Sequence, residues 1–186
     1  MLPHRITIYQ RTMLFEWLTL ALVLAGVWLK GSSLYSVLGG RWRSAGQFLR
    51  DLGIGFGFLI VTIVVSSIAG PHRGGDDSAT QFLLPQSRIE MMLWVLLSIT
   101  AGICEEAVYR GYLQKQFMAL TRNVPAGIIL SALVFAGAHS YQGFGHAAVI
   151  GVLGALGGML AYWCRSVRPG MIAHTLQDLL GGFLRH

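Results

Sequence analysis

The chain has 186 residues, of which 54% are hydrophobic and only 12% charged, with a mean hydropathy of +0.58. Soluble domains carry about 25% charged residues, so this composition excludes an ordinary soluble fold and indicates an integral membrane protein, 1–186, built as a single all-α domain. The net charge of +6 comes from basic residues that fall mostly between apolar segments, where they meet lipid headgroups and set topology; no basic-aromatic patch of the kind that binds nucleic acid is present.

A spanning helix takes about 20 mostly apolar residues, and the hydropathy pattern predicts a polytopic helical bundle of about six transmembrane helices. The first covers residues 12–29. Arg5 and Arg11 precede it as they would a secretory signal, but Glu16 and the lack of a small-x-small cleavage motif favour an uncleaved span. Residues 30–50 form a basic linker with Lys30, Arg41, Arg43 and Arg50, broken at Gly39-Gly40; Trp42 and Phe48 among these charges predict a segment lying in the interface. The second span, 52–70, is charge-free. Residues 71–87, with Gly74-Gly75-Asp76-Asp77 and Pro85, read as a polar loop. Up to this point, 1–88, the chain holds two helices without any motif.

The part that bears the chemistry is 89–186. Its first span starts at 89, is apolar to Cys104, then meets an acidic cluster and a polar tail toward Thr121. A tight turn at 122–125 leads to the span 124–141, and a short turn at 141–145 to the charge-free span 147–164. A basic turn at 165–170 opens the last helix, 169–184, with Pro169 at its start. The glycine clusters 53–57 and 154–158 imitate a phosphate loop. Without a preceding strand or a Lys-Ser/Thr they read as close helix packing. Cys104 and Cys164 lie in apolar runs, and neither reads as half of a disulfide. Summing the basic connectors, the positive-inside rule favours an external N-terminus.

Three ionisable clusters interrupt the apolar runs: Glu105-Glu106 with Arg110, His139, and His174 with Asp178. A charge inside a bilayer costs roughly 2.5–3.5 kcal/mol on insertion scales, so a chain that retains these groups is expected to use them. Taking the turn at Arg122 as centre, Glu105 lies 17 residues before it and His139 17 after it, which puts both about 25 Å from the turn in an antiparallel hairpin. His174 lies only about 8 Å past its own turn, a depth mismatch of about 10 Å that shrinks if the hairpin protrudes from the bilayer. Glu106 and Arg110 stand i and i+4 in the favourable order for a pair. Glu105 has no such partner and is assigned as the base that activates water, with Glu106 and Arg110 as its support. His139 shares or orients that water. His174 and Asp178 stabilise an oxyanion or position a carbonyl, or Asp178 sets the His174 tautomer. Phe135 packs beneath the site. Tyr109 and Tyr141 read as packing or interface aromatics, and His146 as interfacial. Cys104 adjoins Glu105 but faces another way, which disfavours a Cys-His nucleophile.

These motifs, Glu105-Glu106-x-x-x-Arg110, Phe135-x-x-x-His139 and His174-x-x-x-Asp178, resemble in order and placement those of the CAAX prenyl protease and bacteriocin-processing (CPBP, or Abi) family of intramembrane proteases. The resemblance spans about 89–184. It implies cleavage of peptide bonds near the membrane, with the first glutamate as base; the short chain with no organelle signal suggests a prokaryotic plasma membrane. The resemblance implies as partners the bilayer and a peptide or protein substrate, with or without a lipid group. Asp178 stands where the prenyl protease branch has Asn. Zinc is a possible cofactor, since two His and a Glu can hold it with one position free for water. No His-Glu-x-x-His helix is present, and Glu105 has no substitute as base if it becomes a ligand, so the residues lean toward a metal-free reaction. Two other classes fit the same residues less well: a proton-coupled carrier, for which an inverted repeat is missing, and a non-catalytic scaffold or immunity-type protein.

Overall fold

Across the described residues, 5–69 and 78–184, this computed structural model is all helical. Four helices are long and apolar enough to cross a membrane: α1 (Arg5–Leu29), α3 (Ala45–Ala69), the continuous helix Arg88–Thr121, and α8 (Phe144–Cys164). The fourth predicted span is the shorter apolar helix α7 (Val124–Ala138), and the last is α9 (Arg168–Leu184), of 17 residues. At 1.5 Å per residue α7 reaches only about 22 Å, so it crosses most of a hydrocarbon core rather than all of it. Two short helices, α2 (Tyr35–Leu38) and α4 (Ser78–Leu83), lie in the connectors. The predicted tract 74–77 lies outside the described residues.

The helix Arg88–Thr121 has three parts: α5 (Arg88–Glu105), a π-helical segment (Glu106–Leu113) and α6 (Gln114–Thr121). Its start is capped locally. Ser87 accepts from the Glu90 amide at 3.2 Å, and the Glu90 carboxylate accepts from the Gln86 amide at 2.7 Å, a variant of the capping box. Its end is set by Arg122 in the left-handed region, after which Asn123 caps α7 through the Ala126 amide. The π segment begins at Glu106 and ends where the Gln114 amide reaches the Tyr109 carbonyl; that carbonyl also accepts from Ser131 of α7 at 2.8 Å. Single π turns are often found at functional sites, and this one carries both Glu106 and Arg110.

The bundle is interleaved: α1 lies on α5, α3 on α9, and α6 and α8 on α7. Close approach depends on missing side chains. A Cβ on Gly102 of α5 would stand 2.1 Å from Thr175 Oγ1 of α9, and one on Gly111 would stand 2.3 Å from the Val37 carbonyl of α2. On α8, Gly154 and Gly157 leave room for the Arg110 guanidinium, and the Gly158 carbonyl accepts from Gln114 Nε2 at 3.0 Å.

The basic linker is itself folded. It folds into α2, turns through Gly39 and Gly40 at φ 84° and 94°, and docks on the second basic turn. The Leu38 carbonyl accepts from Val167 N and Ser166 Oγ, and the Gly40 carbonyl accepts from Arg168 Nη1 at 3.1 Å. Helix α3 then starts at Ala45 rather than 52 and carries Asp51 inside, fully buried. The charge is tolerated because Arg168 and Arg50 each reach it at 3.0 Å and Trp42 Nε1 donates to it at 2.9 Å.

Candidate active site

The acidic cluster lies where α5 passes into the π segment. Glu106 and Arg110, both about nineteen-twentieths buried, pair at 3.2 Å. The Arg110 guanidinium also sits 4.1 Å from the centroid of the Phe135 ring, a cation–π contact that fixes its plane. Phe135 is a hub: its ring meets Tyr109 and His139 edge-on at 4.9 and 4.6 Å and His174 at 6.3 Å. The aromatic residue of the second motif thus packs beneath the polar cluster and sets the positions of three of its members.

His139 ends α7 rather than lying within it as predicted; the helix stops at Ala138, and a 3-10 turn, Ser140–Gln142, follows. The cause is local, because His139 Nδ1 contacts the Phe135 carbonyl at 2.9 Å and so caps its own helix. A carbonyl only accepts, so Nδ1 carries the hydrogen and Nε2 turns to Glu105 Oε1, 3.9 Å away. The Tyr141 ring stacks on His139 from the exposed side.

His174 is held from both sides. Its Nδ1 lies 3.3 Å from Glu106 Oε1, while Nε2 lies 3.6 Å from Glu105 Oε2 and 3.6 Å from Asp178 Oδ2. Glu106, rather than Asp178, therefore faces the nitrogen that sets the His174 tautomer. The depth mismatch expected from the hairpin is absent because α9 does not begin at a surface: residues 166–170 are all buried beneath the docked linker and beside Asp51. Gly170 passes so close that a Cβ there would stand 2.8 Å from Glu106 Oε2. Three separate helices thus bring Glu105, His139, His174 and Asp178 within one cluster. Side-chain exposure rises from 5% at Glu106 to 14% at Glu105 and 35% at Asp178, so the cluster opens past Asp178. Glu105 Oε2 is buried without a hydrogen bond to the protein.

Two residues beside the cluster lie outside the sequence motifs. Glu16 of α1 is buried, close enough to Glu105, His174 and Asp178 for their charges to act on it, and its Oε2 has no hydrogen bond. The signal was present, an acid alone in an apolar helix. Trp94 donates from Nε1 to the Asp178 carbonyl at 2.9 Å and anchors α9 to α5. Of the other candidates, Cys104 is a buried core residue, and His146 lies in the first turn of α8.

Among the described residues no group of three or more His, Cys, Asp and Glu is arranged to hold a metal ion. Chemically the cluster offers an unpaired carboxylate flanked by two imidazoles, with a compensated acid behind one of them.

A family model described as Type II CAAX prenyl endopeptidase Rce1-like matches residues 87–180. Neither curated proteins nor solved structures yield a match.

Proposed function

This chain belongs to the Type II CAAX prenyl endopeptidase Rce1-like family, and we propose that it is an intramembrane endopeptidase in which Glu105 activates water against a membrane-proximal peptide bond. The observation that carries the reading is the Glu105 carboxylate between His139 Nε2 at 3.9 Å and His174 Nε2 at 3.6 Å. Both gaps exceed a direct hydrogen bond, which leaves the carboxylate free to take up a water that also meets the imidazoles.

Glu105 takes a proton from that water while His139 Nε2, its lone pair free because Nδ1–H is engaged, accepts the other water hydrogen. The water oxygen bonds to the scissile carbonyl carbon, and the carbonyl π pair moves onto its oxygen. His174, as an imidazolium held at Nδ1 by Glu106, donates from Nε2 to this oxyanion. Collapse breaks the C–N bond, and Glu105 passes its proton to the departing nitrogen. Arg110 keeps Glu106 ionised and in place, so both act as positioning residues. Asp178 balances the His174 charge at the open rim. No step is routed through a metal.

Cleavage of a membrane-proximal peptide by the purified chain tests this reading. Glu105→Gln, His139→Ala and His174→Ala each lower turnover by at least about 10²-fold, the usual contribution of a positioned acid–base group, with folding intact by thermal denaturation. Wild-type turnover in a folded Glu105→Gln variant would refute the mechanism; no cleavage by the folded wild-type chain would favour a scaffold, and a pH-driven flux that the variant loses would favour a carrier. Activity persists in a chelator, whereas loss reversed by zinc overturns the metal-free route.

A further inference from the structure

The two basic connectors, docked on each other, form an open cavity of about 280 Å³ whose lining includes Arg41, Arg43, Arg50, Arg165 and Arg168. Asp51 beside it pairs with Arg50 and Arg168, its single charge offsetting one of the two. Arg41 lies over the Tyr35 ring, and the exposed Arg43 and Arg165 extend into the rim. The local charge is strongly positive and is held by backbone: a Cβ on Gly39 would strike the Arg165 carbonyl at 2.3 Å, so the two turns cannot be separated without loss of the cavity.

Three of its lining residues, Gly40, Arg41 and Arg168, also line a second space of about 810 Å³. That space is a lateral groove between α3, α5 and α9, walled by apolar side chains such as Phe56, Ile99, Ile103 and Ile172. Its open side carries Phe56 and Ile99, both exposed, as side chains that meet lipid would be. Trp42, which lines the groove and packs edge-on against Phe48 at 5.2 Å, is of the residue type that settles at headgroup level. An arginine cluster that runs without a break into an apolar channel opening toward lipid matches a molecule with a phosphate at one end and a hydrocarbon chain at the other.

We propose that this composite site binds an anionic phospholipid, with the phosphate among the arginines and one acyl chain in the groove. The expected topology places both connectors on the cytoplasmic face, where anionic lipids concentrate. Guanidinium groups are suited to phosphate because their fork pairs with two oxygens at once. Bound there, the lipid ties the linker and α3 to the start of α9, the helix that carries His174.

The test uses the full chain in neutral detergent, with phosphatidylglycerol and phosphatidylcholine of the same acyl chains, read by native mass spectrometry and thermal shift. Phosphatidylglycerol binds and stabilises; phosphatidylcholine does so at least about tenfold more weakly, as expected for a charge-driven site. Arg43→Gln with Arg165→Asn, the latter tolerant of the left-handed backbone, removes two exposed charges outside the Asp51 cluster. It abolishes the preference, leaving unliganded stability unchanged. Equal binding of both lipids, or a preference that survives the double variant, overturns the proposal. Equal stabilisation by glycerol 3-phosphate makes it a free-phosphate site and overturns the lipid assignment. Displacement of the lipid by a neutral farnesylated peptide, independent of Arg43 and Arg165, reassigns the groove to substrate.

Discussion

Arg110 ties three parts of the site together. It pairs with Glu106, lies on Phe135 and occupies the space that Gly154 and Gly157 leave on α8. Removing one member of a buried ion pair strands the other, at a cost of about 3–5 kcal/mol. Arg110→Ala therefore lowers folded yield and the thermal midpoint in detergent. Adding Glu106→Gln recovers part of that loss, because the stranded charge is removed as well. A midpoint unchanged in Arg110→Ala would show that the pair carries no structural weight. The same scale explains the tautomers. His139 is oriented by a carbonyl one helical turn away and His174 by Glu106, so both present Nε2 to Glu105. The motif spacing identifies these side chains but says nothing of which ring nitrogen turns inward.

At the scale of elements, the π segment and the glycine contacts decide how close the helices come. Gly111 lies within that segment, and its missing side chain admits the Val37 carbonyl of α2. Gly111→Ala drives a methyl into backbone that cannot swing aside, and we expect a loss of about 1–3 kcal/mol in unfolding measurements, typical of overpacking. At Gly57 of α3 an added methyl would meet nothing within 4 Å, so Gly57→Ala stays within about 1 kcal/mol of the parent, helped by helix propensity. Equal effects of the two would remove the close-packing account. Helix type and approximate span could be read from hydropathy because it is a running property of the chain. The early start of α3 could not, because Asp51 enters only by virtue of arginines and a tryptophan, one of them, Arg168, more than 100 residues away.

For the whole molecule, the docking of the two basic connectors places both at one end of the bundle. In a Cys164→Ala background, Arg43→Cys and Arg165→Cys should react with a membrane-impermeant maleimide from the same side of oriented vesicles. Labelling from opposite sides would refute the arrangement. The same docking buries the start of α9 and brings His174 to the depth of Glu105. The helices without motifs also support the cluster: Glu16 of α1 is buried, and α3 packs on α9.

Composition and hydropathy alone settled that this is a helical membrane protein, and ionisable residues in apolar runs marked Glu105, Glu106, Arg110, His139, His174 and Asp178 for attention. Those features are local, and the cost of a charge in lipid makes each conspicuous whatever surrounds it. Which of them touch was decided only in three dimensions. Contact depends on where each helix begins, how it is rotated and what it packs against. Residues such as Asp51, Val37 and Phe135, distant along the chain, set those terms.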